Sequence, residues 1–188
     1  MSQVRTVQNR TVSAGKDYYS RAEDEWARGR TRSAFRLFRA AAENREPLAY
    51  QYLASFYNRG VGTKPDRDSA LYWYRRAHRY GSSFAANNIG AIYRDRKDFN
   101  RALAWFRRAV EIKDANANLN IAKIYLKHKK DNDKAIYYLN ELLKADSEDC
   151  TESAKEEARL LLARIGPKRK PRAARPRRVA TVSGKILS

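Results

Sequence analysis

A pattern of apolar, small and aromatic residues returns every 32 to 36 residues, and it limits what this chain can fold into more than any other feature. Three stretches carry it: Leu53-Ala54-Ser55-Phe56-Tyr57, Ile89-Gly90-Ala91-Ile92-Tyr93 and Ile121-Ala122-Lys123-Ile124-Tyr125. A second stretch follows each one, Ala70-Leu71-Tyr72-Trp73-Tyr74-Arg75-Arg76-Ala77, Ala102-Leu103-Ala104-Trp105-Phe106-Arg107-Arg108-Ala109 and the weaker Ala135-Ile136-Tyr137-Tyr138-Leu139. Residues at i, i+1 and i+4 share one helix face, so each unit reads as two amphipathic helices. A hairpin of this size buries its apolar side only against a neighbour, and the expected architecture is a stack of hairpins.

On these residues the chain resembles the Sel1-like and tetratricopeptide repeat family. That family places an apolar residue, then Ala or Gly, then Tyr on its first helix, and Ala, an aromatic and a second Ala on its second. The pattern is met at Leu53, Ala54, Tyr57, Ala70, Tyr74 and Ala77, and again at Ile89, Gly90, Tyr93, Ala102, Phe106 and Ala109. The segment from Tyr57-Asn58-Arg59-Gly60-Val61-Gly62 to Asp68 looks like the longer Sel1-like turn, while the spacing from Tyr93 to Ala102 is the shorter tetratricopeptide one. The resemblance implies an all-α, right-handed helical-hairpin solenoid and a role in protein binding.

The expected organisation is a flexible N-terminal segment over 1–16, about four repeats over 17–145, a linker and capping helix over 146–165, and a disordered basic tail over 166–188. Ala34, Phe38 and Ala41 support the first second-helix, and Trp26 takes the aromatic place of the first helix, with Glu23 where the small residue belongs. The last repeat has Leu142 in place of its closing alanine, a departure that suits an end unit facing water on one side. Ala154, Ala158, Leu161, Leu162 and Ile165 mark the capping helix. Gly60, Gly62, Pro65, Gly81, Gly166 and Pro167 fall at inferred boundaries, and Asp68, Asp98 and Asp131 stand near second-helix starts as expected caps.

Forty Lys and Arg against 21 Asp and Glu give a formal charge of +19. From Gly166 onward the chain holds eight basic residues and no acid, and the rest keeps a positive surplus of its own. Such a field favours acidic proteins, nucleic acids or anionic surfaces as partners. No apolar run approaches the roughly 20 residues of a membrane span. A lone cysteine forms no internal disulfide and suits a reducing compartment, so a cytoplasmic location is expected.

The residues offer little for catalysis. Cys150 lies among Asp146, Glu148, Asp149 and Glu152, whose charge opposes thiolate formation. His78 and His128 lack a second ligand at metal spacing and are expected to be solvated. Gly60-Val61-Gly62 lacks the lysine of a phosphate loop, and Asp131-Asn132-Asp133 lacks the glycine and closing acid of a calcium loop. The chain is therefore expected to be no enzyme, with no cofactor and no metal site.

Binding is more legible. The resemblance implies that the residue before the apolar one in each first helix faces a concave groove, where asparagine holds an extended peptide. The matching residues are Asn88 and Asn120, with Tyr52 at the equivalent place one repeat earlier. An amide both donates and accepts, which suits a peptide backbone. Gln51, Ser55, Asn87, Arg94 and Lys123 are neighbours by helical phase, and Tyr18, Tyr19 and Tyr50 are further aromatics outside the strict pattern. On the opposite side Arg75-Arg76 and Arg107-Arg108 recur, aligned with Arg39 and Lys144, as a basic stripe on the second helices. With Lys168, Arg169, Lys170, Arg172, Arg175, Arg177 and Arg178 of the tail, these are candidate polyanion contacts. The expected function is an interaction adaptor, scaffold or regulatory protein with a protein partner of acidic character. The alternative is a nucleic-acid-associated protein using the tail and stripe.

Overall fold

The computed structural model describes residues 2–146 and 148–165, and among them every regular element is a helix. Nine α-helices follow in order: α1 Ser2–Ala27, α2 Thr31–Glu43, α3 Pro47–Arg59, α4 Arg67–Arg79, α5 Ser83–Asp95, α6 Phe99–Glu111, α7 Asn116–Ile124, α8 Asn132–Lys144 and α9 Glu152–Ile165. Each helix packs on the one before and the one after it, and α9 closes the array against α8 and α7. This is the hairpin solenoid that the repeat predicts.

One continuous core runs through the stack. The repeat residues Leu53, Ala54, Ala70, Tyr74, Ile89, Gly90, Ala102, Phe106, Ile121 and Ala122 are all buried. Small and large residues interlock across the helix pairs, as where Phe106 of α6 packs on Gly90 of α5.

Three second helices, α4, α6 and α8, start on side-chain caps, while α2 does not. Asp98 accepts from the Arg101 amide at 3.1 Å and Asp131 from the Lys134 amide at 3.0 Å. The cap of α4 is Asp66, which accepts from the amides of Asp68 and Ser69, so Asp68 lies inside the first turn rather than at the cap. The long turn before α4 is held by Gly62, whose φ of +68° and contact with the Thr31 carbonyl leave no room for a side chain: a Cβ there would meet that oxygen at 2.4 Å.

Three features depart from the sequence reading. The first helix extends back to Ser2, into the segment expected to precede the repeats, and no proline interrupts residues 2–27. In α1 the buried small residue is Ala22, while Glu23 turns outward to accept from the Tyr19 hydroxyl at 2.9 Å. After α7 the chain makes one π turn over Tyr125–Lys129 before Asp131. Ala102 follows Tyr93 by nine positions and Ala135 follows Tyr125 by ten, and a π turn is the way a helix takes in one extra residue without losing its partner face.

Candidate binding face

The first helices bring the predicted groove residues into two adjoining clusters. In the earlier one, Gln51, Tyr52 and Ser55 of α3 line a hollow of about 360 Å³ together with Trp26, Phe56, Arg59 and Phe84. Tyr52 is fixed by stacking on Phe38 at 5.0 Å between ring centroids and by the edge of Tyr19 at 5.9 Å. Gln51 accepts from the Ser82 hydroxyl at 2.8 Å, which ties α3 to the cap of α5. Trp26 leans on Phe56 at 5.0 Å yet stays 39% exposed, and Phe84 is 51% exposed, so the hollow presents two open aromatic surfaces.

The later cluster is polar. Asn120 donates to Asn87 Oδ1 at 3.1 Å and accepts from Arg94 at 3.1 Å, which joins α5 and α7 through three side chains. Arg94 also pairs with Asp95 at 3.0 Å. Lys123 borders the same surface and pairs with Glu157 of α9 at 2.8 Å. Asp114 stands beside this cluster, and burial raises its carboxyl above the ordinary carboxylate range against the opposing hydrogen bonds of Asn116 and Asn87.

Asn88 differs from the rung that the sequence suggests. Its Nδ2 donates to the Phe84 carbonyl of its own helix at 2.7 Å, which leaves the amide oxygen for an outside donor. Asn88 thus sits one helical turn from Phe84, between the aromatic hollow and the Asn87–Asn120–Arg94 cluster. Of the further aromatics, Tyr50 is fully buried, and Tyr18 and Tyr19 are partly buried against the core. Trp26, Phe84 and Arg59 were not among the predicted groove residues. The available signal was Phe84 itself, a large aromatic in the first turn of α5 outside the repeat pattern.

On the second helices the arginine pairs have a repeating geometry. Arg75 donates to the Tyr93 hydroxyl at 2.7 Å, and Arg107 donates to the Tyr125 hydroxyl at 3.0 Å, 18 residues on in both cases. Arg76 lies over Trp73 at 5.3 Å and Tyr50 at 4.9 Å, and Arg108 over Trp105 at 4.5 Å. The first arginine of each pair therefore staples one repeat to the next, and the second stacks on an aromatic of its own helix. Arg39 and Lys144, at the ends of the row, are paired with Glu43 and Glu141. Lys168, Arg169, Lys170, Arg172, Arg175, Arg177 and Arg178 lie outside the described residues.

The groups considered for catalysis are dispersed. Cys150 is buried, with its thiol on the Asp146 carbonyl at 3.2 Å. His128 stacks on Phe99 at 3.9 Å. His78 is less solvated than its sequence position implies: it meets the edge of Trp105 at 5.3 Å, and its Nδ1 is buried without a partner. No helix among the described residues is long and apolar enough to cross a membrane.

Stacked hairpins with a mixed aromatic and amide face define a helical-repeat protein. Comparison with known families places the match on the same segments: the Sel1 repeat over residues 31–45 and 47–77, and the tetratricopeptide repeat over 85–116 and 115–149. The chain belongs to the Sel1-like and tetratricopeptide repeat family, with its Sel1-type units first. Among solved structures it is similar to a Sel1 repeat protein from Oxalobacter formigenes, at 24% identity and a TM-score of 0.66 over 84% of this chain and 68% of that one. It is also similar to c5321, a protective antigen present in uropathogenic Escherichia coli strains that displays an SLR fold, at 19% identity and a TM-score of 0.67. That match covers 81% of this chain and 34% of c5321, so the chain spans about a third of that relative. MamA is a third, at 16% identity and a TM-score of 0.60 over 84% of this chain and 86% of that one. At these identities the likeness concerns the fold. No curated protein matches the sequence.

Proposed function

We propose that this protein is a non-catalytic interaction adaptor or scaffold that holds a segment of another protein along its first-helix face. The observation that carries this reading is the adjacency of two unlike surfaces: an open hollow with exposed Trp26 and Phe84, and a hydrogen-bonding cluster of Asn87, Arg94 and Asn120 beside it. The hollow suits one apolar side chain of the partner, and the amides suit its backbone. Arg59, lining the hollow, favours an acidic residue in that segment. Repeat arrays of this kind generally mediate protein–protein contacts, and a lone buried thiol suits the cytoplasm.

Affinity purification at low and high salt, with and without nuclease, tests the class of partner. A protein retained at high salt and after nuclease treatment is the expected outcome. Retention that is lost with nuclease would contradict the adaptor reading.

A further inference from the structure

We infer that the second-helix side of the solenoid carries a separate binding track for single-stranded nucleic acid, seated in two cationic grooves one repeat apart. The first groove, of about 600 Å³, runs between α4, the end of α5 and α6, and is lined by Tyr72, Arg75, Arg76, Arg79, Arg96 and Trp105. Its only carboxylate is Asp68, which pairs with Arg96 at 2.8 Å. Among the described residues Arg75, Arg76 and Arg79 have no carboxylate within ion-pair distance. Three guanidinium groups lining one groove without a carboxylate partner repel one another, and a bound oxyanion relieves that repulsion. The planar, forked donors of arginine match phosphate oxygens in particular. Two buried nitrogens of groove-lining side chains, Arg76 Nε and His78 Nδ1, have no hydrogen-bond partner among the described residues.

The arrangement recurs. A second groove of about 480 Å³ is lined by Arg107, Tyr125, Lys129 and Lys134, with Asp131 as its carboxylate, paired to Lys134 at 2.9 Å. Arg107 and Tyr125 stand where Arg75 and Tyr93 stand one repeat earlier. A lone phosphorylated side chain fills one groove; two in register suit a linear chain of phosphates. Exposed Tyr72, 54% accessible, lines the first groove and offers a ring face for an unpaired base, which a duplex keeps stacked inside. The track lies on different helices from the proposed peptide face, and neither reading depends on the other.

The test is binding of a labelled 12-nucleotide poly-U to the full chain by fluorescence anisotropy over a salt series. It compares Arg75→Gln/Arg79→Gln/Lys129→Gln with the wild type, and with Lys16→Gln/Arg21→Gln/Lys64→Gln, which removes the same charge from exposed sites outside the second helices and both grooves. Each lost phosphate contact flattens the log–log salt slope by about 0.7, so the groove variant should bind at least about fivefold more weakly at 0.1 M salt with a slope shallower by roughly 2. Arg79→Gln/Lys129→Gln leaves the tyrosine contacts of Arg75 intact and should flatten the slope by roughly 1.4, which separates binding from folding. The control variant should change the slope by less than half as much as the groove triple. An unchanged slope in both groove variants, or an equal loss in the control, would overturn the track. So would a groove effect seen only with a phosphoserine peptide or an anionic vesicle and not with the oligonucleotide.

Discussion

The ring of Phe106 lies directly over the Cα of Gly90, so closely that a Cβ at that position would stand 2.6 Å from Cδ1 and 2.7 Å from Cε1 of the ring. The contact sets the spacing of α5 and α6 at the centre of the array. Both residues are fully buried, and the ring has no solvent side to move into. Gly90→Leu should therefore overpack this hairpin and cost about 1 to 3 kcal/mol, read as a lower urea midpoint at unchanged m-value. A variant with wild-type stability would mean that α5 and α6 do not approach at this point.

The hydrogen bond from Arg75 to Tyr93 and its counterpart from Arg107 to Tyr125 join successive repeats. Tyr93→Phe removes only the hydroxyl and should cost about 1 to 2 kcal/mol, since the bond has a charged donor and is partly buried. With Arg75→Met already in place, the same Tyr93→Phe change should cost less than half as much. A double-mutant cycle by urea denaturation measures the coupling, and strict additivity would show that the two side chains do not interact.

Helix caps give the stability an acid limb. The Asp66 carboxyl is held below the ordinary carboxylate range, first by the Ser69 hydroxyl and then by the amides of Ser69 and Asp68. Asp131 is held low by the Lys134 amide and then by the Lys134 ammonium. A carboxyl with a lower pKa in the folded state than in the unfolded one stabilises the fold above the unfolded value and loses that contribution as the pH falls through the folded one. The melting temperature should drop as the pH falls below about 4, and Asp66→Asn/Asp131→Asn should lessen the drop. Thermal melts from pH 7 to pH 2.5 give the comparison; an equal drop in both proteins would locate the acid limb elsewhere.

The parts of the fold written in local periodicity were legible in the sequence. Leu53, Ala54 and Tyr57 predict a helix face because that face follows from spacing alone, and the same holds for Ala102, Phe106 and Ala109. What depends on reach between repeats was not. The partner of Arg75 is a hydroxyl 18 residues away, and helical phase places the guanidinium on a surface without saying that a tyrosine lies beneath it. Likewise Asn88 falls on the predicted face, but the turn of its amide to the Phe84 carbonyl depends on its side-chain rotamer, which spacing does not set. The helical start of α1 was hidden because polar residues without proline are as compatible with a helix as with a loose segment. The π turn is encoded in the ten-residue step from Tyr125 to Ala135, one longer than the step from Tyr93 to Ala102.

The central claim is that the first-helix face is where the partner binds, and titration calorimetry on a partner validated at high salt tests it most directly. Asn88→Ala/Asn120→Ala combined with Phe84→Ala alters both halves of the face at partly or fully exposed side chains, and circular dichroism should report unchanged helical content. The account predicts affinity at least about tenfold weaker, since each half supplies contacts worth on the order of 1 kcal/mol. Wild-type affinity and stoichiometry in the folded triple variant would contradict it.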